Sequence, residues 1–393
     1  VKFGKNMFIP RQLSGSITQL MKWFPVVSVT GPRQSGKSTL LREMFPDLAY
    51  LNLEDPGIRR LAQEDPVGFL SSHSGPLIID EAQYAPDLFS VVQLRSDEVG
   101  SPGQYILSGS QNFLLMESIA QSLAGRVGIS HLLPFGLVEA RSISADLTVD
   151  EFMVRGGYPR LYQAQIPPEI YFENYVQTYL QRDVSGLLNV RNSDSFRRFI
   201  KVCALQAGNL INYSAIANEI DVSFQTVKNW VSILESSFII FSLPSHHFNP
   251  RKVLTKTAKL YFYDTGLLCH LLGISSPEEL FMHPQAGAVR ENMVVAETMK
   301  THIHSGRKPD LRFYRDSSKR EVDLLDFTGG DPKAYEIKAS QTYHSKYTRH
   351  LTAVGEELGI KPANRTVLYY GQHSFRARDA QIVPVEQYLQ ELH

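Results

Sequence analysis

The sequence predicts an α/β fold in several domains, led by a parallel sheet covered on both faces. Three observations predict it. Residues Gly31–Ser38 read G-x-x-x-x-G-K-S, between the apolar run Pro25–Thr30 and the helical run Thr39–Met44. Apolar runs of strand length recur at Ala49–Leu53, Gly75–Glu81, Gln104–Ser110 and Val127–Leu133, separated by helical lengths. Continuous apolar strands spaced by helices belong to parallel sheets. Far downstream, an alternating strand through Asp323 is followed by a turn and a second strand reading Glu336-Ile-Lys338, which predicts a second α/β unit.

Bulk properties set the limits. The 393 residues suggest two or three domains at about 150 residues each. Forty basic residues balance forty acidic ones, so no global field advertises a nucleic-acid or membrane partner. Cys203 and Cys269 make neither a disulfide framework nor a zinc cluster. No apolar run approaches the roughly 18 residues of a membrane span, and no signal pattern opens the chain. A cytoplasmic location without a membrane partner is expected.

The first domain, residues 1–149, carries the most specific motif. In a strand–loop–helix setting its glycines let successive N–H groups converge on phosphate oxygens at a helix N-terminus. Gly31, Gln34, Ser35, Gly36, Lys37, Ser38 and Thr39 form that cradle, with Lys37 reaching the β/γ-phosphates and Ser38 the Mg²⁺. The strand Gly75–Glu81 ends in two acids: Asp80 for the metal shell and Glu81 to polarise the attacking water. Without an N-K-x-D pattern, the expected nucleotide is ATP rather than GTP. Ser110, or else Asn112, is placed to sense the γ-phosphate, although a Ser-Gly-Ser turn is also ordinary loop chemistry. Arg126 is a candidate charge stabiliser, in cis or across a subunit boundary; the competing account is an exposed arginine at a strand start.

Residues 150–195 read as a helical lid. Tyr171, Tyr175 and Tyr179 form a stripe that belongs to packing, and Arg182 is a weak nucleotide candidate. Residues 196–265 give three helices and a β-branched run, the pattern of a helix-turn-helix with a wing. Ser223 is a plausible N-cap of the third helix. Gln225, Lys228 and Asn229 face outward on it, types that reach bases and phosphates. The wing, acid-free from Ser236 to Tyr263, offers Arg251, Lys252, Lys256 and Lys259 to phosphates. A wing used for protein contact is the alternative.

The last unit, residues 266–393, holds Asp323 and Glu336 on adjacent strands, oxygen ligands suited to Mg²⁺ or Mn²⁺. Lys338 shares the face of Glu336 and is placed to lower the pKa of an attacking water. This segment resembles the PD-(D/E)xK nuclease fold, and Glu291 resembles the extra helical acid of resolvase-type nucleases. A solvated E-x-K strand, or a fold kept only as a binding platform, is the competing reading.

Taken in order, Gly31–Thr39, Tyr50-Leu-Asn-Leu-Glu-Asp55, Ile79-Asp-Glu-Ala-Gln83, Leu107-Ser-Gly-Ser110 and Leu123-Ala-Gly-Arg126 carry a family resemblance. So do Arg155-Gly-Gly-Tyr-Pro159, Tyr179-Leu-Gln-Arg-Asp183, Tyr261-Phe-Tyr-Asp-Thr-Gly-Leu267 and Arg320-Glu-Val-Asp-Leu324. Together they resemble the AAA-type ATPases with a C-terminal DUF4143 region, across nearly the whole chain. The resemblance implies an AAA-type core, a winged-helix middle and a nuclease-like end, with no settled substrate. The expectation is an ATP-hydrolysing homo-oligomer coupled to DNA, duplex or branched, which it binds, remodels or cuts. The alternative is a nucleotide-controlled signalling or defence switch whose C-terminal domains only recognise a partner.

Overall fold

A computed structural model describes residues 8–73, 75–110, 119, 121–179, 193–246, 258–377 and 379–392. The five predicted strands of the first domain all form, slightly shortened. They are β1 (Val26–Thr30), β2 (Ala49–Asn52), β3 (Leu77–Asp80), β4 (Tyr105–Gly109) and β5 (Val127–His131). They make a parallel sheet in the order β2-β3-β4-β1-β5. Strand side chains alternate between faces, so each strand feeds two cores. Val26, Leu77, Ile79 and Leu107 enter one, while Val27, Val29, Ile78 and Ile106 enter the other. Because all strands run the same way, the loop after β1 and the acids ending β3 emerge at one edge, where ligands of such sheets bind.

Helices Val149–Arg155, Pro159–Gln163 and Pro168–Tyr175 follow, then Ser193–Leu205, Tyr213–Ile220 and Phe224–Ser236. Ser223 caps the last of these by accepting a hydrogen bond from the Thr226 N–H at 3.0 Å, as its position before an apolar period predicts. An antiparallel ribbon of β6 (Ile240–Pro244) and β7 (Ala258–Phe262) comes next. It does not stand free as a solvated hairpin. Ser245 bridges to Phe313, and the His246 N–H donates to the Phe313 carbonyl at 2.6 Å, which docks the ribbon on the C-terminal sheet.

That sheet contains β8 (Leu311–Arg315), β9 (Glu321–Asp326), β10 (Lys333–Lys338), β11 (Arg365–Tyr369), β12 (Phe375–Ala377) and β13 (Ala380–Pro384), ordered β12-β13-β11-β10-β9-β8. The 19-residue helix Ala286–His304 precedes it and is buried along nearly its whole length. Its apolar residues join a single core that also holds Phe135, Tyr158, Trp230, Leu260 and Leu389. The middle and the C-terminal third therefore pack around one shared interior. Among the described residues, no helix is long and apolar enough to cross a membrane.

Candidate functional site

The loop after β1 has the backbone its sequence demands. Gly31 and Gly36 have φ of 153° and 95°, and Gln34 sits at φ 64°. A Cβ on Gly31 would lie 2.1 Å from the Leu132 carbonyl oxygen, so only glycine fits there. Lys37 begins the following helix and donates to the Gly31 and Pro32 carbonyls at 2.9 and 3.0 Å. Burial lowers its pKa, against the opposing pull of Glu81 and Asp80. The Ser35 side chain is buried, and Gln34 accepts a hydrogen bond from the Tyr171 hydroxyl at 3.0 Å. Tyr171, Tyr175 and Tyr179 are buried, as packing predicts, but Tyr171 also ties the helical segment to the loop.

Two strands away, Asp80 is nearly inaccessible. It accepts from the Ser38 hydroxyl at 2.5 Å and also from the Tyr50 and Ser108 hydroxyls. Tyr50 and Ser108 went unrecognised in the sequence. A signal existed for Ser108, since period-two alternation puts it on the same face as Ser110. Glu81 has a left-handed backbone, φ 53°, and its carboxylate accepts from Gln83 at 2.5 Å. It also accepts from the Ser110 hydroxyl and N–H at 3.1 and 3.3 Å. Ser110, expected to sense the γ-phosphate, holds Glu81 at the cavity wall; Asn112 lies outside the described residues. The loop and Glu81 open on a cavity of about 590 Å³. Lys37, Ser38, Thr39, Glu81 and Ser110 line one side, and Phe8, Arg11, Pro159, Arg160 and Gln163 the other.

Arg126 is not part of this cavity. Val26 pairs with Val127, and the Arg126 carbonyl accepts from the Val26 N–H, so Arg126 sits at the opposite end of β1 from the loop. Five strand residues, about 16 Å, separate it from its own nucleotide site. It is bound to Asp97 at 2.6 Å instead. The cis role is therefore corrected: the strand direction forbids it. Arg182 lies outside the described residues.

A second residue missed in the sequence is Arg11. Buried against Phe135, it donates to the Ser35 carbonyl in the loop at 2.9 Å and to the Leu133 carbonyl at 2.6 Å, and pairs with Glu139 at 3.1 Å. Burial opposes ionisation of Glu139, but Arg11, His304 and the Gln12 N–H outweigh it and hold the carboxyl down at about 2. From the other side, Glu297 accepts from the Leu137 N–H at 2.8 Å, and Lys300 donates to the Phe135 carbonyl at 3.1 Å. One chain of buried polar contacts thus runs from the phosphate loop to the helix Ala286–His304.

The same helix carries Glu291 to the other predicted centre. Glu291, Asp323 and Glu336 do come together, but around ammonium groups. Lys259 lies 3.0 Å from Glu291, 2.7 Å from Glu321 and 4.0 Å from Asp323. Lys338 lies 2.6 Å from Glu336 and 3.7 Å from Asp323. Burial works to lower both lysines, yet their carboxylate neighbours carry both above the ordinary value. Burial and Asp323 push Glu336 up to about 8, and raise Glu291 in the same direction. Among the described residues, no group of three or more histidine, cysteine or acidic side chains is arranged to hold a metal. Glu291, Asp323 and Glu336, expected to hold a metal, thus face lysine ammonium groups, and Lys338, expected to activate water, pairs with Glu336. Lys259 is corrected as a DNA contact, because it is buried in the cluster. Arg251, Lys252 and Lys256 lie outside the described residues. Gln225, Lys228 and Asn229 are exposed on the helix Phe224–Ser236, as predicted.

Family models match along the chain in order: an AAA domain at residues 24–140, a domain of unknown function (DUF8612) at 146–278 and another (DUF4143) at 286–388. An uncharacterized protein of Mycobacterium tuberculosis is 30% identical over 386 residues, 96% of this chain and 84% of the relative. An uncharacterized protein of Mycobacterium bovis matches equally. The chain belongs to the AAA-domain ATPases with a C-terminal DUF4143 region. Among solved structures, a Walker-type ATPase of Pyrococcus abyssi aligns with 68% of this chain and 97% of its own, at 16% identity and TM-score 0.46. The RuvB Holliday junction branch migration motor of Thermotoga maritima aligns with 60% and 91%, at 17% identity and TM-score 0.31. Two motifs that lie far apart in sequence interlock in the fold. Asp264, from Tyr-Asp-Thr-Gly, accepts from the Gly157 N–H at 2.7 Å and caps its own helix through the Leu267 N–H at 3.0 Å.

Proposed function

We propose that this protein binds and hydrolyses ATP at the edge of the first sheet and couples that cycle to its C-terminal half. The observation that carries the reading is the Ser38–Asp80 pair at 2.5 Å, with Glu81 clamped beside it by Ser110 and Gln83. Lys37 exchanges the Gly31 and Pro32 carbonyls for phosphate oxygens, while the loop N–H groups and the helix N-terminus hold the rest of the charge. Glu81 takes the proton of the attacking water. The Ser38 hydroxyl and Asp80 carboxylate are hard oxygen donors that suit Mg²⁺, which would supply charge neutralisation of the β- and γ-phosphates. Calorimetric titration should show ATP bound in preference to GTP, and Lys37→Ala should abolish both binding and phosphate release. Equal affinity for GTP, or unaltered binding by Lys37→Ala, would overturn the assignment.

The finer reading divides the chain into the ATPase domain (1–149), lid (150–195), winged helix (196–265) and nuclease-like domain (266–393). DNA contact is assigned to the exposed face of the helix Phe224–Ser236, through Gln225, Lys228 and Asn229. Metal-dependent cutting is not part of this reading, because the residues that would hold Mg²⁺ or Mn²⁺ already hold lysine. That observation favours, as the second reading, a nucleotide-controlled switch whose C-terminal domains recognise a partner. In either case the chain acts as a homo-oligomer, and Arg126 serves a neighbouring copy's nucleotide. Mixing Arg126→Ala with Lys37→Ala protein should then restore part of the turnover, and no recovery in proven mixed oligomers removes Arg126 from the site.

A further inference from the structure

Four carboxylates, Glu291, Glu321, Asp323 and Glu336, face two ammonium groups in the C-terminal domain. Lys338 comes from the same sheet as Glu321, Asp323 and Glu336, and Glu291 from the helix Ala286–His304, but Lys259 comes from the ribbon. It sits on β7 two residues before Tyr261, hence on the same strand face, and both reach Glu291. The Lys259 ammonium nitrogen sits over the Phe313 ring, 5.6 Å from its centroid, and only 4% of the residue is accessible. The ammonium is therefore buried at the meeting point of helix Ala286–His304, β9 and β7. Removing one partner from such a group leaves uncompensated buried charge, which is far more costly than the pair itself.

We propose that Lys259 is the resident cation of this cluster. Its ammonium fills the position that a divalent ion would take between Glu291 and Asp323, and the ribbon strand that carries it keeps metal out of the C-terminal domain. A hard dication seeks several carboxylate oxygens at once, and those oxygens are already committed to a buried positive charge. This inference is independent of the nucleotide site, since none of its residues touches the phosphate loop.

The test is titration of nucleotide-free, full-length protein with Mn²⁺, following the electron paramagnetic resonance signal of the free ion. Wild type should give a titration that Asp323→Asn leaves unchanged. Lys259→Met keeps the stem and drops the charge, and should gain a Mn²⁺ site at least about tenfold tighter than any in wild type. Adding Asp323→Asn to that variant should abolish the gain. Should Lys259→Met fail to fold, Lys259→Met/Glu321→Gln removes one of the acids left uncompensated and serves in its place. A wild-type ion lost in Asp323→Asn overturns the proposal, and so does a folded Lys259 variant that gains none.

Discussion

Asp80 shows how much of this site a contiguous motif can reveal. Ser38, Asp80 and Glu81 were legible because each sits at a strand or loop end whose local sequence fixes its direction. Tyr50 and Arg11 were not: only strand register brings Tyr50 to Asp80, and only the tertiary fold brings Arg11 to the loop and to Glu139. Arg11 and Glu139 are 128 residues apart, and no local pattern joins them. Their pairing has a pH consequence. The folded pKa of Glu139, about 2, lies below its ordinary 4.5, so its contribution to stability is complete above about 4.5 and disappears as pH falls toward 2. Wild type should melt at a higher temperature than Glu139→Gln at neutral pH, with the gap closing through that acidic window. A gap that stays constant down to pH 2 would remove the ion pair from the account.

At the scale of elements, helices and strands followed their periodicities, while the role of the ribbon did not. Composition shows a basic, acid-free segment; it does not show that Lys259 and Tyr261 turn inward toward a helix thirty residues on. Charge is readable from sequence, but the face it occupies depends on which sheet edge the strand joins. The helix Phe224–Ser236 gave the opposite outcome, because its apolar stripe of Val227, Trp230, Val231 and Leu234 is buried and leaves Gln225, Lys228 and Asn229 outside. If that face meets DNA, Lys228→Glu should weaken duplex binding and reduce the log–log salt slope by about 0.9. Fluorescence anisotropy across a salt series measures it. An unchanged slope would assign the face to a protein partner.

For the whole molecule, the helix Ala286–His304 links the two centres. Its Glu297 and Lys300 hold the segment Phe135–Leu137 beside the phosphate loop, and its Glu291 enters the lysine-filled cluster. Between Glu291 and His304 lie about 20 Å of rigid helix, long enough to carry a change at one end to the other. That route matters only if the first domain turns nucleotide over. The most direct measurement compares wild type with Glu81→Gln, taking ATP affinity by calorimetry and phosphate release in one preparation. The account predicts unaltered affinity and a loss of turnover on the order of 10²-fold or more. Turnover equal to wild type in the Glu81→Gln protein would contradict it.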